Sequence, residues 1–569
     1  MEGDGGAGDV DGERDPGTDP PDAVEEVLLV SGEEPQSYRE ATNSPDAAEW
    51  EAAMDSEMES IARLDTFELV PLPPGRKAIG TTWTYSVKRN NTGAIVRYKA
   101  RLCAQGFSQV PGIDFQDTYA PVASIVSIRL LCAMAAMLDW EIHVVDVDSA
   151  FLNSEMPDDQ PAYARQPKGY ETKGSEHLVW RLLKALYGLK QAAYLWYAKL
   201  CSIFVSLGFT PCISDPCIFV RRTDRDTSIV SSHVDDLGLF CSSAAETRRL
   251  KSEISKHVPI KDLGEVSQLL GIEIIRDRIA RTISFSHRRY IDEKVHKFRL
   301  EGSKPVYTPM LDTARLSKLD SHVNDAQREQ MTDRPFGSLV GSLLHPAIMT
   351  RPDIRLAVQR VSQFLSNPGR AHWNAAIRIL QYLSTTRDLI LTVGGIGSKQ
   401  LIAYCDADWG NSADHARSTS GYALFIGSGC FAWASKKQTA VALSSAESEY
   451  YSASYIGRQI VWLRQLIVEI GFTQPFPTPL FIDSNSAISM IGNTNQVSNR
   501  TKHINIQYHW IREAIQNGLI ETERVDTKEN VSDIFTKPLP RPRHEKLLTM
   551  LGMEYRLGED SRRRGVLKS

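Results

Sequence analysis

No two cysteines in this sequence are spaced Cys-x-x-Cys, although there are eight of them: Cys103, Cys132, Cys201, Cys212, Cys217, Cys241, Cys405 and Cys430. Most sit inside apolar runs, which excludes a zinc knuckle or a disulfide framework and points to buried thiols in a reducing compartment. Long apolar runs are missing too. None approaches the roughly 18–20 residues that cross a bilayer, and Met1 leads into acidic residues rather than a basic-then-apolar leader. Neither a membrane span nor a secretory signal is expected. Large net charge is also lacking, since the 569 residues carry a formal −5, which at first argues against a nucleic-acid partner.

That small balance hides an uneven distribution. Residues 1–34 hold twelve acids and only Arg14 as a base, leaving 64 bases against 58 acids beyond them, a formal +6. The acidic, Gly- and Pro-rich head (1–45) reads as a disordered tail. The body is mildly basic. Its 42% hydrophobic and 24% charged residues describe globular domains, and the length calls for several of them.

No internal repeat of fixed period stands out. Ser44 and Asp46 can cap a helix with Trp50, Met54, Met58 and Ile61 on one stripe. Alternation around Asn91-Thr92-Gly93 predicts a hairpin. A helix over 124–138, a strand in "WEIHVVDVDSAF", a helix over 186–207 and strands near 216–221, 228–234 and 237–241 follow. The stretch 305–335 is polar and reads as a linker, with a helical block beyond it. After Gly394-Gly395 the pattern becomes three strands, a long helix over 445–470 closed by Gly471, a strand, a helix carrying Ile504, Tyr508, Ile511 and Ile515, a strand, and a last helix opened by "NVSDIFTK". This is an α/β order, with a boundary near 395–400.

Two sets of carboxylates stand out. "SSHVDDLGLF" places Asp235 and Asp236 side by side at a hairpin turn, and Asp146 in "VVDVDSAFLN" stands on a separate strand. Nucleotidyl transfer uses two divalent ions about 3.5–4 Å apart, held by a few such acids. Spacing alone leaves solvated turn chemistry as the commoner origin of an Asp-Asp pair. Further along, Asp406, Glu449, Asp483 and Asp533 stand on the first strand, the long helix, the fourth strand and the last helix of the rear region. Four acids converging from separate elements suit a two-metal nuclease, with Glu447 the rival of Glu449.

The strings "RYKARLCAQGFSQVPGIDFQDTYAPVASIVSIR", "DVDSAFLN", "KALYGLKQA" and "HVDD", in this order, closely resemble the reverse transcriptase of copia-type retrotransposons. "YCDADW", "ALSSAESEYYSAS", "LFIDSNSAISMI", "RTKHI" and "VSDIFTKPL" resemble that family's ribonuclease H domain. The likeness runs from about Glu34 to Lys537. It implies a multidomain α+β and α/β chain: a right-hand polymerase with palm, fingers and thumb, followed by an RNase H-like three-layer α/β domain. The implied limits are fingers, palm and start of the thumb over 46–300, linker and helical thumb or connection over 301–398, RNase H over 399–540, and a basic tail over 541–569.

By the same resemblance Asp146, Asp235 and Asp236 are polymerase metal ligands, and Asp406, Glu449, Asp483 and Asp533 those of the nuclease, with Ser452 as the small residue that favours Glu449 over Glu447. Mg²⁺, two ions per site, is the implied cofactor, with Mn²⁺ as a substitute. Phe151 matches the aromatic that rejects a ribose 2′-OH, Lys99 and Arg101 hold the incoming triphosphate, Lys190 lies nearby, and "LLGIEI" (269–274) grips the primer. The implied partners are an RNA template, a DNA primer, an RNA–DNA hybrid and dNTPs, with no membrane; a dimer or association with other products of the element stays open. The implied location is cytoplasmic, with virus-like particles as one setting.

Capsid, protease and integrase strings are absent, so the chain corresponds to the C-terminal part of a Pol polyprotein. Several positions depart from the family: His233 for Tyr, Asp148 for Lys, Ala193-Tyr194 for Pro-Arg, Asn485 for Gln, His345-Pro346 for Tyr-Leu, and Asp526 for Pro. On an extended strand Asp148 would share a face with Asp146 and add negative charge there. The expectation is an active but weakened polymerase and nuclease; the alternative is a decayed remnant that only binds nucleic acid.

Overall fold

The computed structural model describes residues 34–89, 95–313, 315–321, 324, 328–329, 331–410, 414–492 and 510–556. The acidic head to residue 33, the turn at Asn91-Thr92-Gly93, the "RTKHI" string, Ile504, Tyr508 and the basic end beyond 556 lie outside them. Two compact units emerge: the described residues up to Ser124 with Ser149–Ala198, and Ile125–Asp148 with Lys199 onward.

The first unit is built around the predicted helix, observed as Ala47–Arg63, whose Trp50, Met54 and Ile61 are fully buried. They pack on Trp83 and Leu102 of the antiparallel pair Thr81–Arg89 and Ile95–Ala104. A three-stranded sheet orders Phe67–Val70, Val179–Leu182 and Tyr163–Ala164. Structure begins earlier than the tail limit of 45 allows, because Tyr38–Thr42 is helical and buries Ala41 in the same core. The helix expected over 186–207 starts only at Ala192. Gly188 turns the chain before it with φ +84°, and a Cβ there would meet the Ala104 carbonyl oxygen at 2.2 Å.

In the second unit a six-stranded sheet carries Glu141–Val147, Ile218–Arg222, Thr227–His233, Asp236–Cys241 and Ile260–Glu265. Val144, Val145, Val147, Leu237, Leu239 and Phe240 are buried, as expected of a sheet covered on both faces. The strand that bears Asp146 ends at Val147, so Asp148 falls in the following turn, exposed, with its N–H donated to the Pro259 carbonyl at 3.0 Å. The shared-face argument for Asp148 therefore does not hold.

A second sheet includes Ile272–Asp277, Thr282–Ser286 and Leu389–Gly394, and its last strand is Met553–Tyr555. Residues 541–556 are consequently no tail: Arg541–Met550 is a helix, and the strand after it pairs with Leu389–Gly394. Four helices, Arg288–Lys297, Phe336–Met349, Arg355–Ser362 and Arg370–Thr385, share a core of Leu339, Val340, Val358, Ile379 and Leu380. Arg129, on the helix Ile125–Leu138, is buried between Phe336–Met349 and the strand Gly429–Lys437, donating to the carbonyls of Phe431, Ile348 and Met349 at 2.6–2.8 Å with its guanidinium 3.9 Å from the Trp433 ring centroid.

The third large sheet orders Gly429–Lys437, Thr419–Ile426, Ile402–Asp408, Thr478–Ile482 and Ile520–Arg524, antiparallel in its first three strands and parallel in the last two pairings. The long helix Ser445–Glu469 packs against it and ends at Gly471, φ +102°. Two shorter helices, Asn485–Gly492 and Trp510–Gln516, follow. "NVSDIFTK" opens no long helix; Val531–Phe535 is a single 3₁₀ stretch, and Pro538 and Pro540 separate it from the helix beyond.

Candidate active sites

Strand register sets Asp146 beside Asp236, although among the described residues the acids whose oxygens all converge within 4.8 Å are Asp406, Asp483 and Asp533 and not the front three. Asp236 is paired with Asp146 on one side and with His233 on the other, while Lys261 pairs with Asp146 from the strand beyond. Directly paired residues share a sheet face, so Lys261, Asp146, Asp236 and His233 form one row. Asp235 sits in the two-residue turn between Thr227–His233 and Asp236–Cys241, and its carbonyl accepts from the Val147 N–H at 2.9 Å. That bond ties the turn to the end of the Asp146 strand. The turn is strained, because the β-branched Val234 holds φ at +58°. Neighbouring carboxylates repel unless a cation joins them; all-oxygen donors on rigid strands suit a hard divalent ion. Lys261, which sequence reading missed, could have been found only from the register of a strand whose own signal is weak.

The other front residues lie in the first unit. Lys99 and Arg101, two apart on Ile95–Ala104, share a face. Burial, and then the Arg101 charge, lower the Lys99 pKa. The Arg101 guanidinium lies 5.0 Å from the Tyr187 ring centroid, and Phe151 meets that same ring edge-on at 4.9 Å. Tyr187, unassigned from sequence, thus bridges two predicted substrate contacts. Lys190 is held by its N–H to Gln109 Oε1 at 2.8 Å, with its ammonium 5.7 Å from the Phe115 ring centroid. "LLGIEI" contributes Gln268–Leu269 and Ile272–Asp277, a tight antiparallel pair in the second unit.

In the rear cluster, parallel pairing of Ala403 with Leu480 brings Asp406 and Asp483 to the same ends of adjacent strands. The Asn530 side chain donates to the Cys405 carbonyl at 3.0 Å and so holds the loop bearing Asp533 against the Asp406 strand. Carboxylate oxygens of Asp406, Asp483 and Asp533 lie within 4.8 Å of one another. Ser452 donates to the Asp406 carbonyl at 2.8 Å and so holds the long helix against the Asp406 strand, while Glu449, one turn earlier, is not among the three acids whose oxygens converge.

Glu449 is 5% exposed, and its Oε2 has no hydrogen-bond partner among the described residues. Burial, then Asp406 and Asp483, raise its pKa well above the carboxylate range. Glu447 is committed elsewhere, accepting from the Leu443 N–H at 2.8 Å and from the Tyr451 hydroxyl. Burial pushes the Asp406 carboxyl up to about 7, with Lys537 opposing and Asp533 adding to the shift. A buried carboxylate set with an orphaned oxygen fits a hard divalent ion.

Two cations border these acids, and neither was marked by sequence reading. Lys537 Nζ is 2.9 Å from Asp533 Oδ1 and 3.4 Å from Asp406 Oδ2, and Arg543 lies 3.2 Å from Asp533 Oδ2. The Thr536 hydroxyl donates to Asp406 Oδ2. The i,i+4 spacing of Lys537 to Asp533 was the available signal. His503 and His509 lie outside the described residues.

Residues 64–312 match the family described as reverse transcriptase (RNA-dependent DNA polymerase). The chain is 37% identical over 532 residues to the retrovirus-related Pol polyprotein from transposon TNT 1-94 of Nicotiana tabacum, covering 93% of this chain and 40% of that one. It is 34% identical over 529 residues to the corresponding polyprotein from transposon RE1 of Arabidopsis thaliana, covering 93% and 35%. It is 34% identical over 312 residues to a transposon Ty5-1 protein of Saccharomyces cerevisiae, covering 54% of this chain and 98% of that protein. The chain thus spans 40% or less of the two plant polyproteins. Among the described residues no helix is long and apolar enough to cross a membrane. The Asp146–Asp236 pairing falls inside the matched stretch, and the chain belongs to the copia-type retrotransposon Pol family, whose reverse transcriptase domain it carries.

Proposed function

We propose that the chain is an RNA-directed DNA polymerase with ribonuclease H activity, the front cluster extending a DNA primer and the rear cluster cutting RNA in the hybrid. The observation that carries the reading is the register that sets Asp146 beside Asp236, with Asp235 on the adjoining turn. Divalent ions, Mg²⁺ by the chemistry of the donors, would be held by Asp146, Asp235 and Asp236 in front and by Asp406, Glu449, Asp483 and Asp533 behind, where they would neutralise charge on the phosphate oxygens.

The chain's own groups do the rest. Lys99 and Arg101 offset the triphosphate charge of a dNTP. Phe151, backed by Tyr187, presents a flat apolar surface that a 2′-OH would crowd, so deoxyribose is selected. Lys190 adds positive charge near the same substrate. Strands keep Asp146 and Asp236 in place, and the Val147 N–H holds the turn that carries Asp235, which lowers the reorganisation needed at reaction. The palm, fingers, thumb and nuclease regions take the limits read from the sequence, except that the 541–556 segment is structured and its strand joins the sheet of Leu389–Gly394. The partners are RNA template, DNA primer and hybrid, in the cytoplasm of the host cell.

Primer extension on an RNA template with Mg²⁺ tests the front half, with Asp235→Asn/Asp236→Asn as the control. Extension by the unmutated chain and its loss in the double variant are expected. Equal binding of template–primer by both, with extension by neither, would instead leave a nucleic-acid-binding remnant. For the rear half, labelled RNA in a hybrid should be cut, and Asp406→Asn should stop the cutting.

A further inference from the structure

Lys537 lies where the nuclease reading wants positive charge, yet no role is assigned to it. It follows the 3₁₀ stretch Val531–Phe535, so its main chain is fixed by the same turn that carries Asp533. Its ammonium reaches Asp533 Oδ1 at 2.9 Å and stands 3.4 Å from both carboxylate oxygens of Asp406. The two acids are buried, at 1% and 4% exposure, while the lysine is only partly covered. Asp406 and Asp533 share Lys537, with Arg543 on the remaining oxygen of Asp533. Asp533 Oδ1 meets the ammonium as an ion pair, and both it and Glu449 Oε2 are buried with no hydrogen-bond partner among the described residues.

We propose that Lys537 is a built-in counter-cation occupying one of the two cation positions of the rear site. A first divalent ion binds with Lys537 in place, and a second ion binds only as the lysine swings out. The geometry requires this competition. A divalent ion sits about 2.0–2.6 Å from its carboxylate oxygens, and the oxygens of Asp406 and Asp533 that it would use already face the ammonium. The lysine can leave because it is on a four-carbon stem at the edge of the site, whereas the acids on strand and helix cannot follow it. Charge is conserved in the exchange, one ammonium moving to solvent or towards a backbone phosphate as the ion enters. Lys537 is here a positioning residue, setting the order and affinity of cation binding. The inference rests on the nuclease reading of the rear cluster.

The test is Mn²⁺ binding by isothermal titration to the full chain carrying Asp235→Asn/Asp236→Asn, so that the front cluster does not contribute, with and without Lys537→Gln. Lys537→Gln should tighten Mn²⁺ binding at the rear site by roughly tenfold or more, as expected when a like charge is removed a few ångströms away. It should also lower Tm in EDTA, where the acids lose the cation they share, and Mn²⁺ should restore that loss. Lys537→Arg, which keeps the charge, should hold the weak affinity and the Tm of the parent, separating charge from misfolding. Mn²⁺ affinity that is unchanged or weakened in Lys537→Gln, while Asp406→Asn still abolishes binding, overturns this inference alone. Absence of any Mn²⁺ binding that depends on Asp406 overturns the nuclease reading, and the inference with it.

Discussion

Asp146 and Asp236 stand directly opposite each other on neighbouring antiparallel strands, and the strained Val234 turn presents Asp235 beside them. A β-branched residue in the left-handed region costs on the order of 1–3 kcal/mol, so something in the fold holds that turn. The Val147 N–H bonded to the Asp235 carbonyl is one such restraint. Val234→Gly should therefore raise stability by about 1 kcal/mol, measured by denaturant titration. The same change should lower primer extension roughly ten- to hundredfold, because a looser turn misplaces a reacting group. A faster, more stable variant would show that the strain does not position Asp235.

Asp148 differs from the usual lysine of the family, yet it lies beyond the end of its strand and faces solvent. Solvent and salt weaken the field of an exposed charge. Asp148→Lys should leave the primer-extension rate within about twofold at physiological salt. A tenfold rise would revive the idea that its charge suppresses the front site.

The strands that carry the acids were legible because a buried strand announces itself locally: "HVVDV" and "LGLF" are apolar runs broken by an acid at the edge. What was not legible depended on distant packing. Apolar spacing continues unbroken through Leu186 and Leu189, but Gly188 lies against the Ala104 carbonyl, and that contact stops the helix short. Arg541, Arg543 and Lys546 make the C-terminal segment look like a solvated tail, although Leu547, Leu551 and Met553 are buried beneath them. Lys537 left a trace in its i,i+4 spacing from Asp533, but Arg543 reads as ordinary surface charge, and the fold brings both to Asp533. The acids stand in motifs that are visible in the sequence itself.

Gly421 pairs with Asp406, and the segment bearing Phe535 and Thr536 crosses directly over it. A Cβ at this position would lie 2.7 Å from both Phe535 Cβ and Thr536 Cγ2, closer than packed carbons come. Gly421→Ala must push that segment away and with it Asp533, Thr536 and Lys537. A stability loss of about 1–3 kcal/mol is expected. Cleavage of hybrid RNA should fall much further than primer extension in the same preparation. Equal loss of both would mean that the strain spreads through the whole unit.

His544 links the C-terminal helix to the helical block and sets a pH dependence. It is 3% exposed, and its Nε2 lies 3.0 Å from the Tyr382 oxygen, whose proton is given to Asp353 at 2.7 Å. The Nε2 therefore carries a proton and donates it to the Tyr382 oxygen, and burial keeps the other ring nitrogen unprotonated at neutral pH. Burial lowers the His544 pKa from 6.5 to about 4. Between those values the unfolded chain binds a proton that the folded chain refuses, so this contribution is complete above pH 6.5 and is lost as pH falls towards 4. The loss amounts to about 3 kcal/mol. Asp406 acts in the opposite sense: its carboxyl, raised to about 7, keeps a proton that the unfolded chain releases, so its contribution falls as pH rises through that range. The two trends mix in the unmutated chain, but the difference between it and His544→Gln isolates the histidine. Urea titrations at pH 7 and pH 4.5 should find the advantage of His544 over Gln shrinking by roughly 2–3 kcal/mol at the lower pH. An advantage that does not change with pH would place the imidazole proton equilibrium elsewhere.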